Sequence, residues 1–226
     1  KPIEDMVAYK KSLAQRQDPT AAILQGISSS VVENPKTIVF AEGEDERVLH
    51  TAQAMIEEGV DTPILVGRPD VIQRRLDKAG LPVKAGIDFE VVNPERDDRY
   101  RDYWQSYHAA MERRGVTPDL AKAVLRTNTT AIASVMVAQG DADSMICGTF
   151  GQYHWHLNYA RQMLGTADLH PIAALSLVLL DDGPLFVADT HVNVEQTPES
   201  LAETVVAAAR HVRRFGVEPQ IALCSG

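Results

Sequence analysis

Short apolar, β-prone runs alternate with amphipathic helical stretches along most of this chain, and that alternation restricts its fold more than any other feature. Thr37 to Ala41 (TIVFA) is a compact β-prone run after Pro35, and Glu44 to Glu58 then places Val48, Leu49, Ala52, Met55 and Ile56 on one helical stripe before Gly59. Pro63 to Val66 and Phe89 to Val92 repeat the strand signal, with a helix expected over Pro69 to Ala79 between them. Such alternation predicts a parallel α/β sheet. From Arg96 to Gly140 the pattern turns helical: Tyr100, Tyr103, Trp104, Tyr107 and Met111 recur at helical spacing, a stripe read as core, and Thr117-Pro118-Asp119 opens the next helix. A strand over Ser144 to Cys147, the turn Gly148-Thr149-Phe150-Gly151 and a helix from Tyr153 to Leu164 follow. Ala174 to Leu180 and Leu185 to Ala188 read as a β-hairpin, Pro198 to Phe215 as a helix and Gln220 to Cys224 as a last strand. Upstream, Pro2 to Leu13 has one apolar helical face, and a second helix is expected from Pro19.

Composition narrows the function classes. The 226 residues carry a formal charge of −9, which argues against a partner with a phosphate backbone, so no nucleic-acid partner is expected. Cys147 and Cys224 are too few and too far apart for a disulfide framework or a cysteine-rich zinc site. No apolar run reaches the roughly 18 residues of a membrane span, and the first residues lack a signal pattern, so a cytoplasmic location without a membrane partner is expected. The chain has no initiator methionine and is expected to begin inside a longer polypeptide.

The stretch Gly148 to His156 (GTFGQYHWH) is the most distinctive motif. A glycine-flanked turn at a helix start offers backbone N–H groups and the positive end of the helix dipole, which suits a phosphate; an ordinary tight turn explains the same residues. The third glycine of a dinucleotide fingerprint is absent. His154 and His156 lie two apart on a helix, so they diverge by about 200° and do not share a metal ion. Asn128-Thr129-Thr130 reads first as a helix cap and second as a ligand contact. Glu42-Gly43-Glu44-Asp45-Glu46-Arg47 follows the first sheet strand at its carboxyl end, with Arg47 facing a cleft and most of the acids solvated. Ser176, Ser225, His191 and Asp189 form no recognisable triad, and no nucleophile elbow occurs.

Several motifs in order, namely Phe40 to Leu49, Gly140 to Asp143, Asp189 to Asn193 and Phe215 to Pro219, resemble the phosphate acetyltransferase family across nearly the whole chain. Tyr103-Trp104, Arg113 to Leu120, Arg126 to Thr130, Gly148 to Leu157 and Ala209 to Gly216 resemble the variant found as the C-terminal domain of large, fused bacterial NADP-dependent malic enzymes. The resemblance implies an α/β fold: a two-lobed, three-layer α/β/α architecture of the phosphate acetyltransferase (isocitrate/isopropylmalate dehydrogenase-like) type. Its expected parts are a linker helix over 1–18 from an absent malic domain, a first lobe over 19–147 and a second lobe over 148–226, incomplete at the C-terminus. It also implies a homodimer through the second lobe, a higher oligomer in the parent, and acetyl-CoA as effector. NADP and magnesium or manganese would belong to the absent malic domain, which oxidatively decarboxylates malate to pyruvate, leaving no cofactor in this fragment.

Where transferases of the family carry an arginine after the glycine turn, this chain has Asn158, and bulky rings replace small hydroxyl residues. An amide brings neither charge nor planar fork. The implied reading is a domain that senses acetyl-CoA and has no catalytic residues of its own, set against an active phosphate acetyltransferase and a purely structural dimerisation module. The candidate acetyl-CoA contacts are Arg47, Asn128, Gly148, Thr149, Gln152, Tyr153, His154, Asn158 and Arg161, with Arg47 and Asn128 expected across a cleft from the others.

Overall fold

The computed structural model describes residues 34–59, 62–165, 172–180, 183–193 and 195–224, with isolated helical residues at 9, 24, 26, 27, 31 and 33. The chain divides into two compact units, Asn34–Gly165 and Lys1–Glu33 with Thr166–Gly226.

In the unit Asn34–Gly165, strands β1 (Ile38–Phe40), β2 (Ile64–Val66), β3 (Glu90–Val92) and β4 (Ser144–Ile146) form a parallel sheet in the order β3-β2-β1-β4. Alternate residues of each strand serve opposite faces. Phe40 and Leu65 pack with helices α1 (Glu46–Glu57) and α2 (Pro69–Ala79) through Leu49, Ala52, Ile72 and Leu76. Val39, Ala41, Ile64 and Val66 join the opposite core with α3 (Tyr100–Met111), α4 (Pro118–Thr127) and α5 (Thr129–Gln139). Both faces of the sheet are thus covered, as a parallel sheet requires, and the unit is a three-layer α/β/α sandwich. The aromatic stripe is core as expected: Tyr103, Tyr107 and Met111 are buried. Residues Thr130 to Met136 of α5 are buried all round.

The unit extends to Gly165 and includes α6 (Tyr153–Leu164), whereas the sequence placed the lobe boundary after Cys147. The reason is packing: α6 lies along α5, with His156 bonded to Thr130, and Tyr107 of α3 donates to Gln162. In the other unit, β5 (Leu175–Leu180) and β6 (Gly183–Ala188) form the antiparallel hairpin, followed by α7 (Pro198–Arg214), which opens with a Thr197–Ser200 capping box. The expected strand Gln220–Cys224 is not formed: it has no ladder partner among the described residues, and Ile221 and Leu223 are 53% and 67% exposed. A strand without a neighbour leaves its backbone to water. Nearly all of the linker helix expected over 1–18, the helix expected from Pro19 and the hairpin residues Asp181-Asp182 lie outside the described residues.

Candidate functional site

Open α/β sheets bind ligands beyond the carboxyl ends of their strands, where the strand order reverses. Here the chain runs from β1 outward to β2 and β3 on one side and returns to β4 on the other, so the reversal lies between β1 and β4. The loop after β1 carries Glu42 to Asp45 and leads into Arg47, and the loop after β4 carries Gly148 to Gln152.

These two loops are tied together by side chains from the first. Gly148 N–H donates to both carboxylate oxygens of Glu42, at 3.2 and 3.0 Å. Nη2 of Arg47 donates to the Thr149 carbonyl at 2.6 Å. Arg47 is also forked onto Asp45, Nε to Oδ1 at 3.0 Å and Nη2 to Oδ2 at 2.8 Å, which holds the Asp45 carboxyl down at about 2. Asp45 additionally caps α1 by accepting from Arg47 N–H. Gly43 fits only as glycine, because a Cβ there would stand 2.7 Å from the Cβ of Leu65 and 2.8 Å from the Val66 carbonyl.

Beneath the β4–α6 loop lies a buried polar cluster. Glu42 and His156 expose only 3% and 5% of their side chains, with Oε1 and Nδ1 3.7 Å apart. Nε2 of His156 is 2.7 Å from the Phe150 carbonyl and therefore donates to it, and Nδ1 lies 2.8 Å from Thr130 Oγ1. Cys147, the last residue before the loop, has its thiol pushed up to about 11 by burial, with the Glu42 charge adding to it.

All the candidate contacts lie within the unit Asn34–Gly165. Arg47 touches the glycine loop directly instead of facing it across a cleft. The loop's first N–H, expected to be free for a phosphate, is taken by Glu42. Glu42 is buried and Glu44 is forked onto Arg68, so these acids are structural partners and not simply solvated. Asn128 does not cap α5 with its side chain; its Nδ2 donates back to the Val124 carbonyl, and its own carbonyl accepts from Ala131 N–H. Gln152, Tyr153 and His154 are exposed at the start of α6, while Asn158 and Arg161 share an exposed face further along it. Arg161 is eight residues beyond Tyr153, about 12 Å along the axis, and does not join the loop.

The sequence reading named Glu42, Thr130 and His156 separately and did not join them into one cluster. Their signal was positional: an acid directly after a buried strand, and two histidines of which helical geometry can bury only one. Among the described residues no three His, Cys, Asp or Glu side chains are placed to hold a metal ion. A recess of about 710 Å³ in the other unit, between the hairpin and α7, contains none of the candidate residues.

The pattern of the phosphate acetyl/butaryl transferase family matches residues 22–226. The chain belongs to that family. All 226 residues align at 46% identity with an NADP-dependent malic enzyme of Salmonella typhimurium, and the whole chain aligns at 43% with an NAD-dependent malic enzyme of Rhizobium meliloti; in each case it spans 30% of the relative's length. A phosphate acetyltransferase of Nitratidesulfovibrio vulgaris is 28% identical over 85% of this chain and 27% of its own. A phosphotransacetylase from Streptococcus pyogenes superposes with a TM-score of 0.81 at 24% identity, over 91% of this chain and 62% of that one. The chain is therefore a phosphate acetyltransferase-like domain of the kind found in malic enzymes, and its fold is that of the transferases. In this transferase-like domain Asn158 occupies an exposed position on α6.

Proposed function

We propose that this transferase-like domain binds acetyl-CoA as a regulatory ligand within an NADP-dependent malic enzyme, and that it does not transfer acetyl groups. The observation that carries the reading is Asn158: an exposed amide stands where the family resemblance places an arginine, in a chain that aligns over its full length with malic enzymes. Without a guanidinium at position 158, that position offers no charged fork for phosphate or an acyl oxygen. Arg47, forked by Asp45, supplies a fixed cation at the switch point. In the longer protein the ligand acts on malate decarboxylation only insofar as it binds one arrangement of the protein more tightly than another.

Calorimetry with acetyl-CoA and a coupled assay for acetyl phosphate test the two halves of the proposal. Binding without turnover is the expected outcome. Turnover near 1 s⁻¹ or faster would establish the second reading, an active phosphate acetyltransferase, which the 28% identity to such an enzyme favours. The domain is further proposed to pair through the hairpin unit, where Val178, Leu179, Leu180 and Leu185 are exposed. A stable contact there needs at least about 1,000 Å² of buried area. Light scattering that finds only monomer at micromolar concentration refutes that pairing.

A further inference from the structure

The β4–α6 loop is pinned along its length, and the pinning decides which way Phe150 faces. Gly148 N–H is held by Glu42, the Thr149 carbonyl by Arg47 and the Phe150 carbonyl by His156. Gly148 and Gly151 adopt φ of +96° and +90°, in the left-handed region that favours glycine. A Cβ on Gly151 would stand 3.1 Å from Nε2 of His156, so a larger residue there would press on the imidazole that the loop covers. With its carbonyl turned inward, Phe150 carries its ring outward, 64% exposed, at the switch point. Among the described residues the ring takes part in no aromatic contact, whereas Trp155 in the first turn of α6 packs edge-on against both His156 and Tyr159.

We propose that His156, with Thr130 and Glu42, is a positioning residue that fixes this loop so that Phe150 displays its ring as a stacking face for the flat base of an adenine nucleotide. The assignment rests on the reading of this switch point as an acetyl-CoA site, since that ligand carries such a base. A flat base stacks on an aromatic face without needing a hydrogen-bond code, and a ring carried on a pinned backbone needs no loop ordering on binding. Thr130 Oγ1 and Glu42 act through the imidazole and the Gly148 amide and touch no ligand.

The test compares affinities of the purified chain for acetyl-CoA and for acetyl-pantetheine, which lacks the base, and measures amide exchange over Gly148–Gln152 by mass spectrometry. The parent is expected to bind acetyl-CoA at least about tenfold more tightly than acetyl-pantetheine. Phe150→Ala should remove most of that difference with exchange unchanged, and Phe150→Trp should keep it. Thr130→Val and His156→Phe should both weaken acetyl-CoA binding and speed exchange across the loop; Thr130→Val is the milder change and serves if His156→Phe fails to fold. Retention of the base preference in Phe150→Ala overturns the stacking assignment. Unchanged loop exchange in Thr130→Val overturns the positioning role. A parent that binds neither compound refutes the acetyl-CoA reading and the stacking face together, while the exchange data still judge the buried cluster.

Discussion

The carboxylate of Glu42 accepts the backbone N–H of Gly148 at 3.0 Å, so the ends of two neighbouring parallel strands are fastened by one buried acid. The same charge reaches the Cys147 thiol, which burial and Glu42 together push up to about 11. Replacing the acid by an amide removes the charge and nearly keeps the shape. Glu42→Gln should therefore lower the thiol's pKa and raise its thiolate fraction at pH 8. Alkylation with iodoacetamide, followed by mass spectrometry, should modify exposed Cys224 first in both proteins and Cys147 several times faster in Glu42→Gln. An unchanged Cys147 rate would mean that the Glu42 charge does not reach the thiol.

A second prediction concerns Asp45, whose carboxyl is held at about 2 by the Arg47 guanidinium. A carboxyl with a depressed folded pKa stabilises the fold fully above its unfolded value of about 3.9, and this contribution is lost as pH falls through the folded value. Asn caps a helix about as well as Asp, so Asp45→Asn isolates the charge. Its stability deficit against the parent, from urea unfolding, should be constant from pH 7 to about 5 and shrink below about 4. Asp45→Ala also loses the cap on α1 and should cost about 1 kcal/mol more at pH 7. A deficit for Asp45→Asn that grows on acidification would contradict the ion pair.

The sheet and its helices were legible because their signals are local. Pro69 to Ala79 is a helix over the very residues expected, since Pro at its start and Gly80 in the left-handed conformation after it punctuate the sequence directly. Gln220–Cys224 failed for the opposite reason: β-propensity says that a segment fits a sheet, whereas a strand needs a partner, and none is recorded for it among the described residues. The candidate site was half legible. Its glycine turn and Arg47 stood out as motifs, but the Glu42–His156 cluster joins residues 114 positions apart through the parallel pairing of β1 and β4, which no local pattern encodes. Asn128 was read as a cap because its type favours one; its side chain closes the preceding helix instead.

Gly43 supplies a third prediction. Its N–H donates to the Val66 carbonyl at 3.0 Å, which draws the loop after β1 onto the end of β2, and its φ lies outside the left-handed region. Space, not backbone strain, therefore demands glycine there. Gly43→Ala would press a methyl group against the Leu65 Cβ and the Val66 backbone at 2.7 to 2.9 Å. Because two of those neighbours are backbone atoms, the loop must move, at a cost of about 1–3 kcal/mol. Loss of acetyl-CoA affinity alongside the drop in urea midpoint would accompany that movement. A fully stable Gly43→Ala protein would show that the loop does not approach β2 so closely.

The fourth prediction follows from α5, whose residues Thr130 to Met136 are buried on every side. Most helices of a globular protein have a solvent face that tolerates change, but this one touches α3, α4, α6 and the sheet at once. Ile132 is fully buried in the core with Val39, Val66 and Tyr103. Ile132→Ala removes three carbons from a position where neighbours on all sides are already fixed, so the cavity collapses little and the loss should reach about 2–5 kcal/mol. Val206→Ala, a truncation at an exposed position of α7, should stay within about 0.5 kcal/mol. Because Thr130 at the start of α5 holds His156, loosening this helix should also speed amide exchange at Gly148–Gln152. Urea unfolding and exchange on the same pair of variants check both effects, and equal stability losses for Ile132→Ala and Val206→Ala would show that α5 is not the centre of this unit's core.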